Sequence, residues 1–136
     1  MKHKIQWLIE NEIVLLIFEG ELQPDDLRNA LTDMTDVINQ SPGGALHVIT
    51  DMRQITRPIS MQDSMRVARE FPVHERIDWQ ITVGKIDIVT KMSIAVARSV
   101  LRTKVISFDT MDEAVTHLKE KVETLSWDNA RMNLLE

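Results

Sequence analysis

Two short runs near the start of the chain set apolar, β-branched residues against polar ones: residues 4–9, with Ile5, Trp7 and Ile9, and residues 12–19, with Ile13, Val14, Ile17 and Phe18. Glu10-Asn11 between them suits a tight turn, so the pattern predicts a hairpin. The period then lengthens to that of a helix. Leu27, Ala30, Leu31, Met34, Val37 and Ile38 share one face, and Pro24-Asp25-Asp26 supplies a proline in the first turn and two carboxylates beside the positive end of the helix dipole. This helix is expected to reach about Asn39 and to stop before Ser41-Pro42-Gly43-Gly44. Leu46–Thr50 predicts a buried strand. Ser60 with Asp63 three residues on resembles a capping box for a second helix with its core side at Met61, Met65 and Ala68, ended by Pro72. Trp79–Val83 is the next strand, stopped by Gly84, and Asp87 can cap a helix from Ile88 to about Arg102. Lys104–Phe108 is a last strand. Thr110 and Glu113 open a final helix with a stripe of Met111, Ala114, Val115, Leu118, Val122 and Leu125.

The expected order is β-β-α-β-α-β-α-β-α, and alternation of strand and helix implies an α/β fold with a mostly parallel sheet of about five strands flanked by helices. We expect one domain over residues 1–125 and a tail over 126–136, whose Trp127, Met132, Leu134 and Leu135 are too apolar for plain solvated coil.

Composition narrows the classes of function. The chain has 136 residues, enough for one core, and 43% of them are hydrophobic, which excludes disorder. Sixteen basic against twenty-one acidic residues leave a net charge of -5, the wrong sign for a nucleic-acid partner. The absence of cysteine removes thiolate chemistry, disulfides and Cys-zinc sites. The strongly apolar run Ile13–Phe18 is far short of the roughly 20 residues a bilayer span needs, and the start lacks a signal-peptide pattern. A cytoplasmic protein, not a transmembrane one, is expected.

The segment His47-Val48-Ile49-Thr50-Asp51-Met52-Arg53-Gln54-Ile55-Thr56 resembles the strand and loop that precede the second helix of the STAS domain, the fold of anti-sigma-factor antagonists and of the cytoplasmic tails of sulfate transporters. The predicted element order is similar too. In that family the helix opens on an Asp-Ser-Ser/Thr-Gly motif whose hydroxyl accepts phosphate, and a partner kinase docks over it. The resemblance places Ser60 at the acceptor, although Ile59 stands where the aspartate would be and Met61 and Gln62 replace the second hydroxyl residue and the glycine. It implies a STAS-like module with a degenerate phospho-acceptor motif. Read from the residues alone, Ser60 is a helix N-cap worth about 1 kcal/mol.

No catalytic motif is present: there is no Gly-x-Ser-x-Gly elbow, no His-Glu-x-x-His, no Walker lysine motif and no Gly-x-Gly-x-x-Gly. The four histidines, His3, His47, His74 and His117, lie on different elements without ligand spacing, so neither a metal nor a cofactor is expected. In an open parallel sheet, ligands bind beyond the carboxyl ends of the strands. That rule nominates Asp51 and Arg53, Gly84 and Lys85, and Ser107, with Thr50, Asp87 and Asp109 beside them. Asp51 with Arg53 equally suits a local ion pair.

The helix expected over 88–102 carries more apolar surface than one sheet contact uses. Ile94, Ala97 and Leu101 project away from its main face, beside a stripe of Lys91, Arg98 and Arg102. Residues 85–104 hold five bases and one acid, whereas 10–36 hold eight acids and one base. Either the tail covers Ile94 and Leu101, or this face is a contact surface. The leading expectation is a non-enzymatic STAS-like interaction or regulatory module, homodimeric or bound to another protein. The alternative is a small-molecule or lipid binder with its pocket at the strand carboxyl ends. The weakest is an enzyme using Asp51, His47 and Ser60.

Overall fold

The computed structural model describes residues 2–72, 74–85 and 104–135. The helix expected over 88–102, with Lys91, Ile94, Ala97, Arg98, Leu101 and Arg102, lies outside the described residues, as does Asp87. The elements in chain order are β1 (His3–Ile9), β2 (Ile13–Glu21), α1 (Pro24–Gln40), β3 (Leu46–Arg57), α2 (Met61–Glu70), β4 (Ile77–Val83), β5 (Lys104–Phe108) and α3 (Met111–Lys121), followed by two short 3-10 turns at Trp127–Asn129 and Met132–Leu135.

The five strands form one sheet in the order β1-β2-β3-β4-β5. Only β1 and β2 pair antiparallel; the other neighbours are parallel. The hairpin turns at Asn11, whose φ of 64° is the left-handed geometry that asparagine tolerates, and Glu12 N–H donates to Ile9 O at 2.9 Å. One sheet face packs on α1: Leu16, Phe18 and Leu22 meet Ala30, and Leu46, Val48 and Ile77 meet Ile38. The other packs on α3, where Leu8, Ile13, Leu15, Ile49 and Ile81 meet Ala114, Val115 and Leu118. The stripe expected on the last helix is therefore its buried face, with Val122 and Leu125 continuing it past the helix end as partly buried residues.

Two expectations need correction. The strand expected to end at Thr50 runs on to Arg57, because β2 continues beside it and pairs Gly20 with Ile55 and Glu21 with Arg57. Asp51 and Arg53 thus stand inside a strand and not in a loop. Met61 was expected on the core side of the second helix, yet it is 37% exposed and Val67 is the fully buried residue. Strand β4 stops opposite Asp51, so α2 begins beside an overhang of β3 with only β2 as its neighbour, and its first turn has no sheet to pack on.

Inserted residues break the two-residue alternation of the strands in four places. Leu8 in β1 is extra between the pairs Trp7–Val14 and Ile9–Ile13, so Leu8 and Ile9 both enter the core under α3. One residue of β3 is extra between the pairs Ile17–Asp51 and Glu19–Gln54, a second between Gly20–Ile55 and Glu21–Arg57, and one of β4 between Leu46–Ile77 and Val48–Gln80. The last insertion turns Ile77 to the α1 face while Trp79, Ile81 and Val83 stay on the α3 face.

Candidate functional site

Three of these bulges leave a backbone group that the ladder does not use, and each of the three finds a partner elsewhere. Leu8 O accepts from Arg131 N–H at 2.8 Å, which ties the tail to β1. Arg53 N–H donates to Asp51 Oδ1 at 3.0 Å. Trp79 N–H donates to Nδ1 of His47 at 3.2 Å. Asp51, His47 and the tail are thus joined by one structural task.

Asp51 is buried and receives a two-pronged bond from Arg53: Nε to Oδ1 at 3.0 Å and a terminal guanidinium nitrogen to Oδ2 at 2.9 Å. The pair raises the Arg53 guanidinium above its ordinary value, chiefly through these hydrogen bonds, against the opposing effect of partial burial. Of the two sequence readings of Asp51 and Arg53, the local ion pair is the arrangement seen. Gly84 lies against the same bulge with φ of 147°, a geometry that side chains rarely adopt, and a Cβ there would stand 3.3 Å from the Met52 carbonyl carbon. Its N–H donates to Phe108 O at 3.0 Å. Lys85 is exposed next to it, and Ser107 pairs with Thr82 in the neighbouring strand. Asp51, Arg53 and Gly84 are therefore close together, and Ser107 lies one strand further across the sheet.

His47 accepts a hydrogen bond at Nδ1, so its ring is neutral with the proton on Nε2. Burial holds its pKa below the ordinary histidine value; Asp78 and Glu12 pull it up and Lys104 pushes it down. His117 is also held below its ordinary value, by burial first and Lys121 second, against Glu120. Its Nε2 is buried without a partner, and its ring meets the Trp79 ring edge-on at 4.4 Å. Both rings must therefore gain a proton more easily in the unfolded chain. Stability should be fully present above about pH 6.5, the unfolded histidine value, and should fall as pH drops below it, by up to about 1.4 kcal/mol per pH unit for each ring. Urea midpoints between pH 7.5 and 5 check this: the double variant His47→Gln, His117→Gln should show a shallower decline than the parent, and equal slopes would contradict it. The other two histidines pin elements together, His3 to Asp33 at 2.7 Å and His74 to Asn39 at 3.0 Å. Among the described residues no three potential ligands gather as a metal site.

Ser60 lies on a different part of the molecule, at the lip of a polar groove of about 260 Å³. Because β2 and β3 end side by side, the starts of α1 and α2 are adjacent there; Leu22 N–H donates to Arg57 O at 3.0 Å and closes the floor. The walls are Glu21, Gln23, Arg57, Ile59, Ser60 and Asp63. The exposed Ser60 hydroxyl accepts from Asp63 N–H at 3.2 Å, so the cap read from the sequence is present. The reciprocal half of the box is replaced: the Asp63 carboxylate takes Arg66 at 2.5 Å.

Sheet order and the placement of the helices together define a recognisable topology. The unphosphorylated form of the anti-sigma factor antagonist SpoIIAA superposes with a TM-score of 0.56 at 15% identity, over 88% of this chain and 98% of that one. The chain has a SpoIIAA-like fold. An uncharacterised DUF3478-family protein from Shewanella loihica PV-4, itself described as SpoIIAA-like in fold, superposes with a TM-score of 0.59 at 12% identity, over 85% of this chain and 94% of that one. No protein-family model matches the sequence, and no curated protein is detectably similar to it. The STAS-like α/β architecture expected from the residues is thus the observed fold of this SpoIIAA-like domain. No helix among its described residues is long and apolar enough to cross a membrane.

The sequence reading missed the bulges, and with them the task shared by His47 and Asp51. A polar residue one or two positions from a break in alternation is the signal that could have found them. It also missed an apolar cavity at the amino ends of the strands, which none of Asp51, Arg53, Gly84, Lys85 or Ser107 lines.

Proposed function

We propose that this SpoIIAA-like domain is a non-enzymatic regulatory module that works by binding another protein. The observation that carries the reading is the superposition on an anti-sigma factor antagonist over 98% of that chain's length. The groove at the starts of α1 and α2 supports it. There Ser60 is exposed at the N-cap and Met61, beside it, is one of the few exposed large apolar residues among the described residues. A phosphate on Ser60 would add about 1.5 to 2 negative charges at a helix N-terminus, in a groove that Arg57 lines together with the carboxylates of Glu21 and Asp63, and so would change the charge a partner meets there. Affinity purification from the source cells, with wild type and the Ser60→Asp and Met61→Lys variants side by side, tests the reading. One protein retained by wild type and lost from both variants is the expected result. Equal retention by all three would remove this groove from the contact, and the absence of any specifically retained protein would remove the interaction reading.

The domain is also proposed to be a homodimer, with Lys91, Ile94, Ala97, Arg98, Leu101 and Arg102 at the contact. In the sequence, the helical spacing of Ile94, Ala97 and Leu101 beside Lys91, Arg98 and Arg102 supports this, as the pattern expected of an apolar group rimmed by one sign of charge. Native mass spectrometry should give twice the chain mass for the wild type and a monomer for the double variant Ile94→Asp, Leu101→Asp; a monomeric wild type would rule the dimer out.

A further inference from the structure

Helix α1 has 17 residues and α2 has ten, so α1 outruns its neighbour by about 10 Å. Phe71 caps α2 and Pro72 follows it, so the helix stops early. A partly enclosed cavity of about 110 Å³ is left between the last turns of both helices and the first residues of β4. Its walls include Leu31, Met34, Ile38, Ala68, Phe71 and Ile77, and Thr35, His74 and Gln80 are its polar members.

The character of these walls decides what they could hold. Among the described residues that line it there is no Asp, Glu, Lys or Arg, so a charged ligand would lose hydration there without compensation. Both His74 ring nitrogens are engaged, Nε2 with Asn39 and Nδ1 with Arg76 N–H. The Thr35 hydroxyl donates to Leu31 O at 2.8 Å, which directs its proton to the backbone and leaves its oxygen able to accept. A water needs two to four polar partners, which such walls supply poorly, whereas an apolar cavity of about 150 Å³ holds benzene or xenon.

We propose that this cavity is a binding site for a small, uncharged, apolar molecule about the size of a single aromatic ring, preferably bearing one hydroxyl that donates to Thr35. It is separate from the Ser60 groove and lies at the opposite ends of the strands from the pocket expected by the carboxyl-end rule.

The test is methyl NMR of the full chain titrated with benzene and, separately, with phenol. Saturable shifts centred on the methyl groups of Leu31, Met34, Ile38, Ala68 and Ile77 are expected, with phenol binding several-fold tighter than benzene. Ala68→Leu, which fills the space, should weaken benzene at least tenfold while the thermal midpoint holds or rises; if that variant does not fold, Ala68→Val serves the same purpose. Thr35→Val should abolish the preference for phenol. Shifts that fail to saturate, or that persist undiminished when position 68 is enlarged, would overturn the site. A phenol preference that survives Thr35→Val would overturn the role given to that hydroxyl.

Discussion

Replacing Asp51 by alanine should destabilise the domain by about 3 kcal/mol, read as a lower urea midpoint at unchanged slope. Three hydrogen bonds are lost at once, two from the Arg53 side chain and one from its backbone N–H. The carboxylate is buried, so its removal strands the bulge N–H and leaves a guanidinium that only partly reaches water. That partial exposure of Arg53 keeps the expected cost at the low end of the range for a broken buried pair. Asp51→Asn should cost less, because an amide oxygen can still accept the bulge N–H. Arg53→Met should cost more than Asp51→Asn, since it leaves a buried carboxylate with only the backbone bond. Equal losses in all three variants would show that packing, and not the hydrogen-bonded bulge, is what Asp51 provides.

Arg76→Ala should cost a similar amount, about 2 to 3 kcal/mol, through the end of α1. The Arg76 guanidinium donates to the carbonyl oxygens of Ile38, Ser41 and Gly44 at 2.9 Å each and of Pro42 at 3.0 Å. The last turn of α1 contains no basic residue, so this arginine from just before β4 serves the carbonyls that a helix end leaves unpaired. Charged hydrogen bonds of this kind contribute about 1.5 to 3 kcal/mol each before competition from water, and here the group is half-buried. Arg76→Lys should recover less than half of the loss, because one ammonium cannot span four carbonyls held by a planar fork. Hydrogen exchange of the 36–46 amides should quicken in both variants; protection equal to the wild type would contradict the role.

Legibility in the sequence followed physical range. The hairpin, the caps at Ser60 and Thr110 and the stripe from Met111 to Leu118 depend on neighbours within one turn or one strand, and each was readable. The full length of β3 was not, because residues 54–57 are strand only by virtue of β2 beside them. Inserted residues such as Leu8 are invisible for a related reason: a period of two shifts phase at a bulge, and only the partner strand shows where. For the candidate site, the exposed cap at Ser60 was legible as Ser-x-x-Asp. The cavity was not, since it arises from a difference in length between two helices that no local pattern records.

The docking of residues 126–135 bears on when the domain can fold. Trp127, Leu134 and Leu135 pack on the cluster that contains Leu8 and Ile13, and Ser126 N–H reaches the Glu12 carboxylate across 114 positions of sequence. While a ribosome is still building the chain, the hairpin is made before α3 and this strap, and until they follow it one of its apolar sides is without its final cover. Completion of the core thus waits on a segment 114 positions beyond the hairpin turn, and the hairpin's apolar side stays uncovered during that interval.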